Sequence, residues 1–414
     1  MARNRIITGL DIGTNSIKAL VVEKRGNEWN VLSYSAMPSF GLRRGSVVNA
    51  EEATKNIQVL ISGVEKECGR RINSAYVNIG GNHLYVTPSD GLISVSRADH
   101  IISQEDIERV LQATRAVNIP MNEEILDVFP KEFIIDDQKG VRHPLGLSGV
   151  RLQAKVLLLC YFQQNFINLT QAVLGTKVQI DDIIPSPLAA AEAVLTREQK
   201  EVGVALIDIG AATTSLAVFE EGDLIHLAIF PIGSANITND LAIGLKTEVA
   251  IAEEIKKQHG TCIMPQRNEK DLPANRQEKK KTESLGQSHA VSFTKKDLVE
   301  IIEPRVSEIL DLMQKELKKI GRQELLPGGI VLTGGGAKLS KIRELAKERL
   351  RLPCKIGTPK NIVGLQEDPA LATVVGLVMS NPDFKEEGGR SIMSFEFMKG
   401  FGSRLRKMLR VFIP

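Results

Sequence analysis

An apolar strand that ends in Asp-Ile-Gly and runs through a polar loop into a hairpin occurs twice in this chain. The first copy reads Ile6-Ile7-Thr8-Gly9-Leu10-Asp11-Ile12-Gly13, with further strands expected at Ile17 to Glu23 and Trp29 to Tyr34 about a turn at Lys24 to Asn27. The second reads Val202-Gly203-Val204-Ala205-Leu206-Ile207-Asp208-Ile209-Gly210, followed by Ser215 to Phe219, a turn at Glu220 to Asp223, and Leu224 to Phe230. With Asp11 set on Asp208, Val21 falls on Val218 and the turn glycines Gly26 and Gly222 nearly coincide. One Asp-Ile-Gly arises readily by chance. Two, each closing an apolar strand and each followed by the same hairpin, mark a duplicated α/β unit.

Between the copies the texture changes. Val47 to Glu67 has apolar residues at helical spacing and stops before Gly69, and Ala75 to Ile79 is a short strand closed by Gly80-Gly81. Asn82 to Val95, Ile125 to Ile135 and Arg151 to Cys160 then read as strands, with a helix over Ser103 to Ala116 started by a Ser103-x-x-Asp106 capping pattern and a loop at Asp136 to Gly149. This stretch does not fit the repeat, so residues 82–160 are expected to form an inserted subdomain. The first half then comprises 1–81 and 161–200, with helices at Asn165 to Leu174 and Ser186 to Leu195 about a strand at Val178 to Ile184. The second-half core takes 201–235 and 325–380, and 236–324 forms its accessory subdomain. That subdomain holds helices at Asn236 to Leu245 and Lys246 to Gly260, a polar loop over 262–290, and one or two helices from Thr294 to Gly321 about Pro304. A strand at Gly329 to Thr333, a helix at Lys341 to Arg349 and an apolar helix at Leu371 to Met379 close the globular part. A polar linker at 381–394 and an amphipathic segment at 395–414 follow.

Each Asp-Ile-Gly delivers a carboxylate to a sheet edge, beside a glycine that lets the chain turn without a Cβ clash. Polar residues follow: Thr14, Asn15 and Ser16 in the first copy, Thr213, Thr214 and Ser215 in the second. Turn amides and hydroxyls donate to phosphate oxygens, while Asp11 and Asp208 suit Mg²⁺, directly or through water. Two such hairpins facing each other would clamp one polyphosphate, with Lys18 placed to neutralise it. A lone copy would be read as a capped turn; the pair favours the clamp. Leu332-Thr333-Gly334-Gly335-Gly336-Ala337 adds a glycine run between a strand and a helix, either a bare turn or a place where backbone approaches a flat ligand.

Composition removes several classes. Apolar residues make up 43% and charged residues 25% of 414, the balance of a folded globular chain and not of a coiled coil, a fibre or a disordered chain. No window reaches the eighteen apolar residues of a membrane-spanning helix, and the amino terminus lacks the apolar stretch of a signal peptide. Cys68, Cys160, Cys262 and Cys354 lie far apart, which predicts a reducing, cytoplasmic setting and no structural metal. A net charge of +3 does not suggest nucleic-acid binding. The basic excess sits in the last 25 residues. On a helical projection Phe397, Met398, Phe401, Leu405, Met408, Leu409 and Phe412 fall within about 120 degrees, with Arg406, Lys407 and Arg410 opposite and Arg404 at the border. This pattern is that of an interfacial helix attracted to anionic lipid.

The order Asp-Ile-Gly-Thr, Asp-Ile-Gly, Thr-Gly-Gly-Gly resembles the nucleotide-binding superfamily of actin, the Hsp70 chaperones and the sugar kinases. Within it, five segments resemble the FtsA family, the bacterial actin homologues that tether the division ring to the membrane. They are Leu10-Asp11-Ile12-Gly13-Thr14, the run from Pro144 to Ala154, Ala252-Glu253-Glu254-Ile255-Lys256 with Gly260, Ile302-Glu303-Pro304-Arg305, and Gly329 to Gly335. The resemblance implies a duplicated actin-like (ribonuclease H-like) fold with ATP and Mg²⁺ in a cleft between the halves and an FtsA-type insert. It further implies that Asp11, Gly13, Thr14, Asn15, Ser16 and Lys18 meet phosphates and metal, together with Asp208 and the loop Gly210-Ala211-Ala212-Thr213. Gly233 and Asn236 would lie near the ribose and phosphates, Glu253 and Lys256 at the sugar or base, and Gly334, Gly335 and Gly336 beneath the adenine. The implied partners are the FtsZ C-terminal peptide, further copies of the chain in filaments, other division proteins and anionic lipid at the cytoplasmic face of the division site. The family's second phosphate loop reads Asp-Ile-Gly-Gly-Gly-Thr; here two alanines replace glycines, so any positive φ at Ala211 or Ala212 would be strained and hydrolysis is expected to be weak. A pilus-assembly homologue of the PilM type and a soluble sugar or metabolite kinase are the alternatives; the first lacks such a tail, and the second needs an acidic base at a substrate cleft.

Overall fold

The structure, a computed structural model, describes residues 6–26, 28–264, 280–282, 291–360 and 362–384. Of the linker expected at 381–394, residues 385–394 lie outside the described residues, as does the whole amphipathic segment expected at 395–414. Two five-stranded sheets of the same order form the halves. The first runs Gln179–Pro185, Ser74–Ile79, Ile6–Ile12, Ser16–Arg25, Glu28–Pro38; the second runs Cys354–Ile356, Ile330–Thr333, Val204–Ile209, Thr214–Glu220, Asp223–Phe230. Each is an antiparallel meander extended by two parallel strands. The registers coincide: Ile12 pairs with Ile17 around the first loop, and Ile209 with Thr214 around the second. The leading strands are buried along almost their whole length, which is why they read as continuous apolar runs and not as alternating ones. Both loops need their glycine, because a Cβ at Gly13 would lie 2.9 Å from the Ser16 carbonyl oxygen and one at Gly210 3.0 Å from that of Thr213.

The helices follow their sequence signals. Ala50–Cys68 opens with the Asn49 side chain accepting the Glu52 N–H, buries Ala53, Ile57, Leu60, Ile61 and Val64, and stops at Gly69 in the left-handed conformation. Gln104–Ala113 carries the reciprocal Ser103–Asp106 cap. It covers the insert sheet, ordered Tyr85–Ser94, Arg151–Phe162, Glu123–Ile135, Gln138–Val141, and the two share a separate core that includes Ile107, Val110, Leu152 and Leu158. The insert reaches the second half where the Arg142 guanidinium donates to the Glu221 carbonyl at 2.6 Å and to its carboxylate.

Several expectations change. Helix Lys295–Lys319 runs unbroken through Pro304, because Leu298, Val299 and Ile302 before the proline and Val306, Ile309 and Leu310 after it are all buried, so packing holds both turns. Part of the expected 262–290 loop is a strand, Lys280–Thr282, paired with Val291–Phe293; residues 265–279 and 283–290 lie outside the described ones. Strands Gln138–Val141 and Cys354–Ile356 and helix Arg197–Val202 are too short to show a period.

Helix Ala372–Met379, expected with the second half, packs on the first, against helix Ser186–Val194 and strands Ile6–Ile12 and Ser16–Arg25. Its Val374, Val375, Leu377 and Val378 are all fully buried, so it needs apolar cover on nearly every side, each such side chain contributing about 1.5–3 kcal/mol. It finds that cover where small residues allow backbone approach: a Cβ at Gly376 would sit 1.7 Å from the Ala189 carbonyl oxygen, and one at Gly9 2.8 Å from that of Val374. Gly376→Ala must separate the two helices. Urea unfolding should show a loss of about 1–3 kcal/mol, whereas Gly63→Ala, on an open helix face, should leave stability the same or slightly higher.

Candidate functional site

Both Asp-Ile-Gly carboxylates end up on the walls of one cleft between the halves, in unequal surroundings. Asp11 is 5% exposed and is held from two sides. Lys18, its register partner across the hairpin, places Nζ 2.7 Å from Oδ2, and the Asn78 amide donates to Oδ1 at 3.0 Å while Asn78 Oδ1 accepts the Ile12 N–H at 2.6 Å. Burial works against the Lys18 ammonium, but the charge and hydrogen bond of Asp11 outweigh it and the pKa rises above the usual lysine value. Asp208 has the equivalent position in the second hairpin, but its register partner is Ser215. The repeat thus supplies one cation for two carboxylates. Burial first, and the Asp11 charge second, push the Asp208 carboxyl up to about 6, with Lys18 opposing.

Gly334 covers Asp208. It has φ +82°, and a Cβ there would meet Asp208 Oδ1 at 2.1 Å, so only glycine fits. A Cβ at Gly336 would meet Ile209 Cγ2 at 2.4 Å. The glycine run, which continues as a 3₁₀ turn Gly335–Lys338, is therefore close-packed backbone over the end of the second motif. The second loop is tied down as well: Gly210 N–H donates to the Thr213 carbonyl at 2.9 Å, and the Ala211 carbonyl accepts the Ala235 N–H at 2.8 Å. Neither Ala211 nor Ala212 has a positive φ, so the strain anticipated from the missing glycines does not arise.

The cleft encloses about 640 Å³, within the range of roughly 300–1,000 Å³ typical of small-molecule and cofactor sites. Asp11, Gly13, Thr14, Asn15, Ser16 and Lys18 line it from the first half, and Asp208, Gly210, Ala211 and Thr213 from the second. Glu253, Lys256 and Gly334 to Gly336 line it as well. Lys256 Nζ lies 2.6 Å from Glu253 Oε2 and donates to the Thr238 hydroxyl at 2.7 Å. Burial pulls the Lys256 pKa below its usual value; burial would raise that of Glu253, but the bonds from Lys256 and Thr238 lower it instead. Ala212, Gly233 and Asn236 are not among the described lining residues. Asn236 is used as a cap, its Oδ1 accepting the Gly233 N–H at 3.0 Å, and a Cβ at Gly233 would lie 2.6 Å from the Ala211 carbonyl oxygen. Sequence reasoning missed Asn78 and Ser186, which position Asp11, and Gly45, whose N–H donates to the Thr14 hydroxyl at 2.8 Å. A single Asn at the end of a strand carries no pattern; only Gly80-Gly81 nearby signalled a close approach.

The Asp208 shift has a sign. An acid whose folded pKa is raised binds its proton more tightly when folded, so its stabilising contribution is full below pH 4 and is lost as pH rises to about 6. Asp208→Asn should therefore raise the stability of the ligand-free chain at pH 8, by on the order of 2 kcal/mol, with the gain vanishing below pH 4 in thermal unfolding.

Comparison with known proteins agrees with this geometry. The family description "Cell division protein FtsA" matches residues 205–376, and "SHS2 domain inserted in FTSA" matches residues 81–160. The chain is 39% identical over 388 residues to the cell division protein FtsA of Pseudomonas aeruginosa, covering 93% of this chain and 91% of that one. Among solved structures, a PilM–PilN type IV pilus biogenesis complex aligns with a TM-score of 0.64 at 18% identity, covering 90% of this chain and 97% of that one. MreB5 of Spiroplasma citri bound to ADP aligns with a TM-score of 0.54 at 14% identity, covering 92% and 97%. These two share the fold. By its sequence relatives, its insert and its duplicated actin-like halves, the chain belongs to the FtsA family of cell division proteins.

Proposed function

We propose that this cell-division protein binds Mg-ATP in the cleft, polymerises with copies of itself and tethers the FtsZ ring to the cytoplasmic face of the membrane through residues 395–414. The observation that carries the nucleotide reading is the pair of Asp-Ile-Gly hairpins facing one cavity, with Lys18 as the one cation in register with either aspartate. Two carboxylates and a triphosphate repel one another, and a divalent cation resolves that repulsion by accepting oxygens from both. Asp11 and Asp208 would hold Mg²⁺, directly or through water, while Lys18 and the loops at Gly13 to Ser16 and Gly210 to Thr213 would take phosphate oxygens. Gly334 to Gly336 would lie under the base, with Glu253 and Lys256 at the sugar. MreB5, which shares the fold, was solved bound to ADP, and this supports a nucleotide as the ligand.

Membrane attachment rests on the tail sequence, whose apolar and basic faces match an interfacial helix. The FtsZ C-terminal peptide would dock on the second half, and later division proteins would be recruited to the assembled filament. Neither alternative has comparable support: the PilM likeness is one of fold, and among the described residues the acids lining the cleft, Asp11, Asp208 and Glu253, are already assigned to the metal and the sugar. The weak hydrolysis expected from strain at Ala211 and Ala212 loses that ground, since neither has a positive φ.

Co-sedimentation with anionic vesicles separates these readings. The full chain should pellet and form filaments on the lipid with Mg-ATP, while a chain ending at Asp383 stays in the supernatant. Phe401→Glu with Leu405→Glu should weaken vesicle binding at least about a hundredfold. A supernatant that retains both chains, without filaments, would leave a soluble ATP-binding protein as the better account.

A further inference from the structure

The edge of the first sheet opposite the cleft collects cations from strands far apart in sequence. The registers put the start of Ser74–Ile79 and of Gln179–Pro185 beside the end of Ser16–Arg25. Lys24, Arg25, Arg70, Arg71 and Lys177 therefore share one end of the sheet, and Arg3 and Arg5 immediately precede its first strand in sequence. Of the acids there, only Glu23 is buried. Glu23, with a side chain 2% exposed, takes Arg25 at 2.8 Å and Arg70 at 3.3 Å; Glu65 accepts the Ile72 N–H at 2.7 Å and Glu67 the Ser33 hydroxyl at 2.5 Å. Glu28 at the turn, Glu67 and Asp181 are the exposed acids, against the exposed Arg25, Arg70, Arg71 and Lys177. Arg71 and Lys177 are exposed and stand in no ion pair among the described residues.

The duplication supplies an internal control. The turn that reads Lys24-Arg25-Gly26 in the first hairpin reads Glu220-Glu221-Gly222-Asp223 in the second, where Glu220 pairs with Arg322 and Glu221 with Arg142. The same fold position thus carries opposite charge in the two halves, so the basic edge is not a requirement of the hairpin.

The chain's exit lies at this edge too. After helix Ala372–Met379 crosses the first half, Phe384 stacks on Trp29 at the start of strand Glu28–Pro38, with ring centroids 4.8 Å apart and planes 13° from parallel, and Lys24 Nζ lies 5.7 Å from the Trp29 ring. The ten residues 385–394 separate that clasp from the amphipathic segment. Fully extended they span about 35 Å. A surface that holds the segment therefore comes within reach of the basic edge, and a surface that attracts the segment's cations attracts these as well.

We infer that the basic edge formed by Lys24, Arg25, Arg70, Arg71 and Lys177 is a second membrane contact, resting on anionic phospholipid headgroups and setting the orientation of the body beside its anchor. This rests on the reading of the tail as that anchor. The tail brings the chain to the bilayer; the edge presses the first half onto it and leaves the second half, with its acidic turn, facing away.

The test uses full-length protein and vesicles of phosphatidylglycerol and phosphatidylcholine, or of phosphatidylcholine alone, carrying a dansyl lipid. Trp29, the single tryptophan of the chain, sits at the edge and serves as the energy-transfer donor. Arg71→Glu with Lys177→Glu should weaken binding to the anionic vesicles about tenfold or more and lower transfer from Trp29 at saturating lipid, without changing the weak binding to phosphatidylcholine. Arg71→Gln with Lys177→Gln should fall between this variant and the unaltered chain. Lys315→Glu with Lys318→Glu, an equal charge change on an exposed helix face of the second half, should cost far less. If the edge variant binds as the unaltered chain does while the chain ending at Asp383 does not bind, the second contact is wrong and the anchor stands. If the chain ending at Asp383 binds as well as the full chain, the anchor itself is wrong. Equal losses in the edge and control variants would reduce the effect to net charge and overturn the proposal. So would an edge variant that loses duplex DNA binding but keeps vesicle binding.

Discussion

Two carboxylates at the ends of buried strands, sharing one lysine, are the constraint around which this protein is arranged. Asp11 is stabilised by Lys18 and Asn78, whereas Asp208 has a serine where its twin has a lysine. Removing a charge from water is costly, and a half-buried carboxylate with no cation bonded to it responds by holding its proton more tightly. Asp208 does this, with its pKa pushed to about 6. In the proposed reading a cation completes the arrangement, and the Gly334 backbone laid over Asp208 keeps side chains out of that space. The duplication explains how one chain produces two such groups facing one cavity: a single hairpin places a carboxylate at a sheet edge, and a second copy brings its equivalent to the opposite wall.

The cleft is mechanically continuous with the far side of the first half. Pro369, Ala370 and Thr373 line the cavity, and the helix that begins at Ala372 packs backbone to backbone on Ala189 before the chain reaches Trp29. Close packing of this kind transmits displacement, since no side chain lies between Gly376 and the neighbouring carbonyl to absorb it. A change at the cleft that moves residues 369–373 has a short path to the segment that leads into the tail. The insert is tied to the second half through Arg142 and Glu221.

Much of this was legible in the sequence because the signals were local or repeated. The Asp-Ile-Gly pair, the Ser103–Asp106 cap and the apolar stripe from Ala53 to Val64 each specify their element by spacing, and the structure places them as read. What escaped depends on distant parts of the chain. Asn78 reaches Asp11 from a strand 67 residues away, and Ser186 joins it from further still. Asn236, read from the sequence as a ligand contact, has a capping bond to Gly233 that the sequence did not show. Pro304 should break a helix by its own chemistry and does not, because buried residues on both sides outweigh the lost hydrogen bond. Helix Ala372–Met379 follows the second half in sequence yet packs on the first, where Gly9 and Ala189 let it approach.

The central claim is that Asp11 and Asp208 serve one divalent cation on one nucleotide. Titration calorimetry of Mg-ATP with the unaltered chain, Asp11→Asn, Asp208→Asn and the double variant tests it as a thermodynamic cycle. If the two carboxylates hold the same ion, each single variant should weaken binding about tenfold or more, and the double variant should lose much less than the product of the two, since the first change already removes the shared interaction. Two losses that multiply, or affinities untouched by either change, would mean that the aspartates act separately as turn caps and that the paired hairpins do not form a clamp.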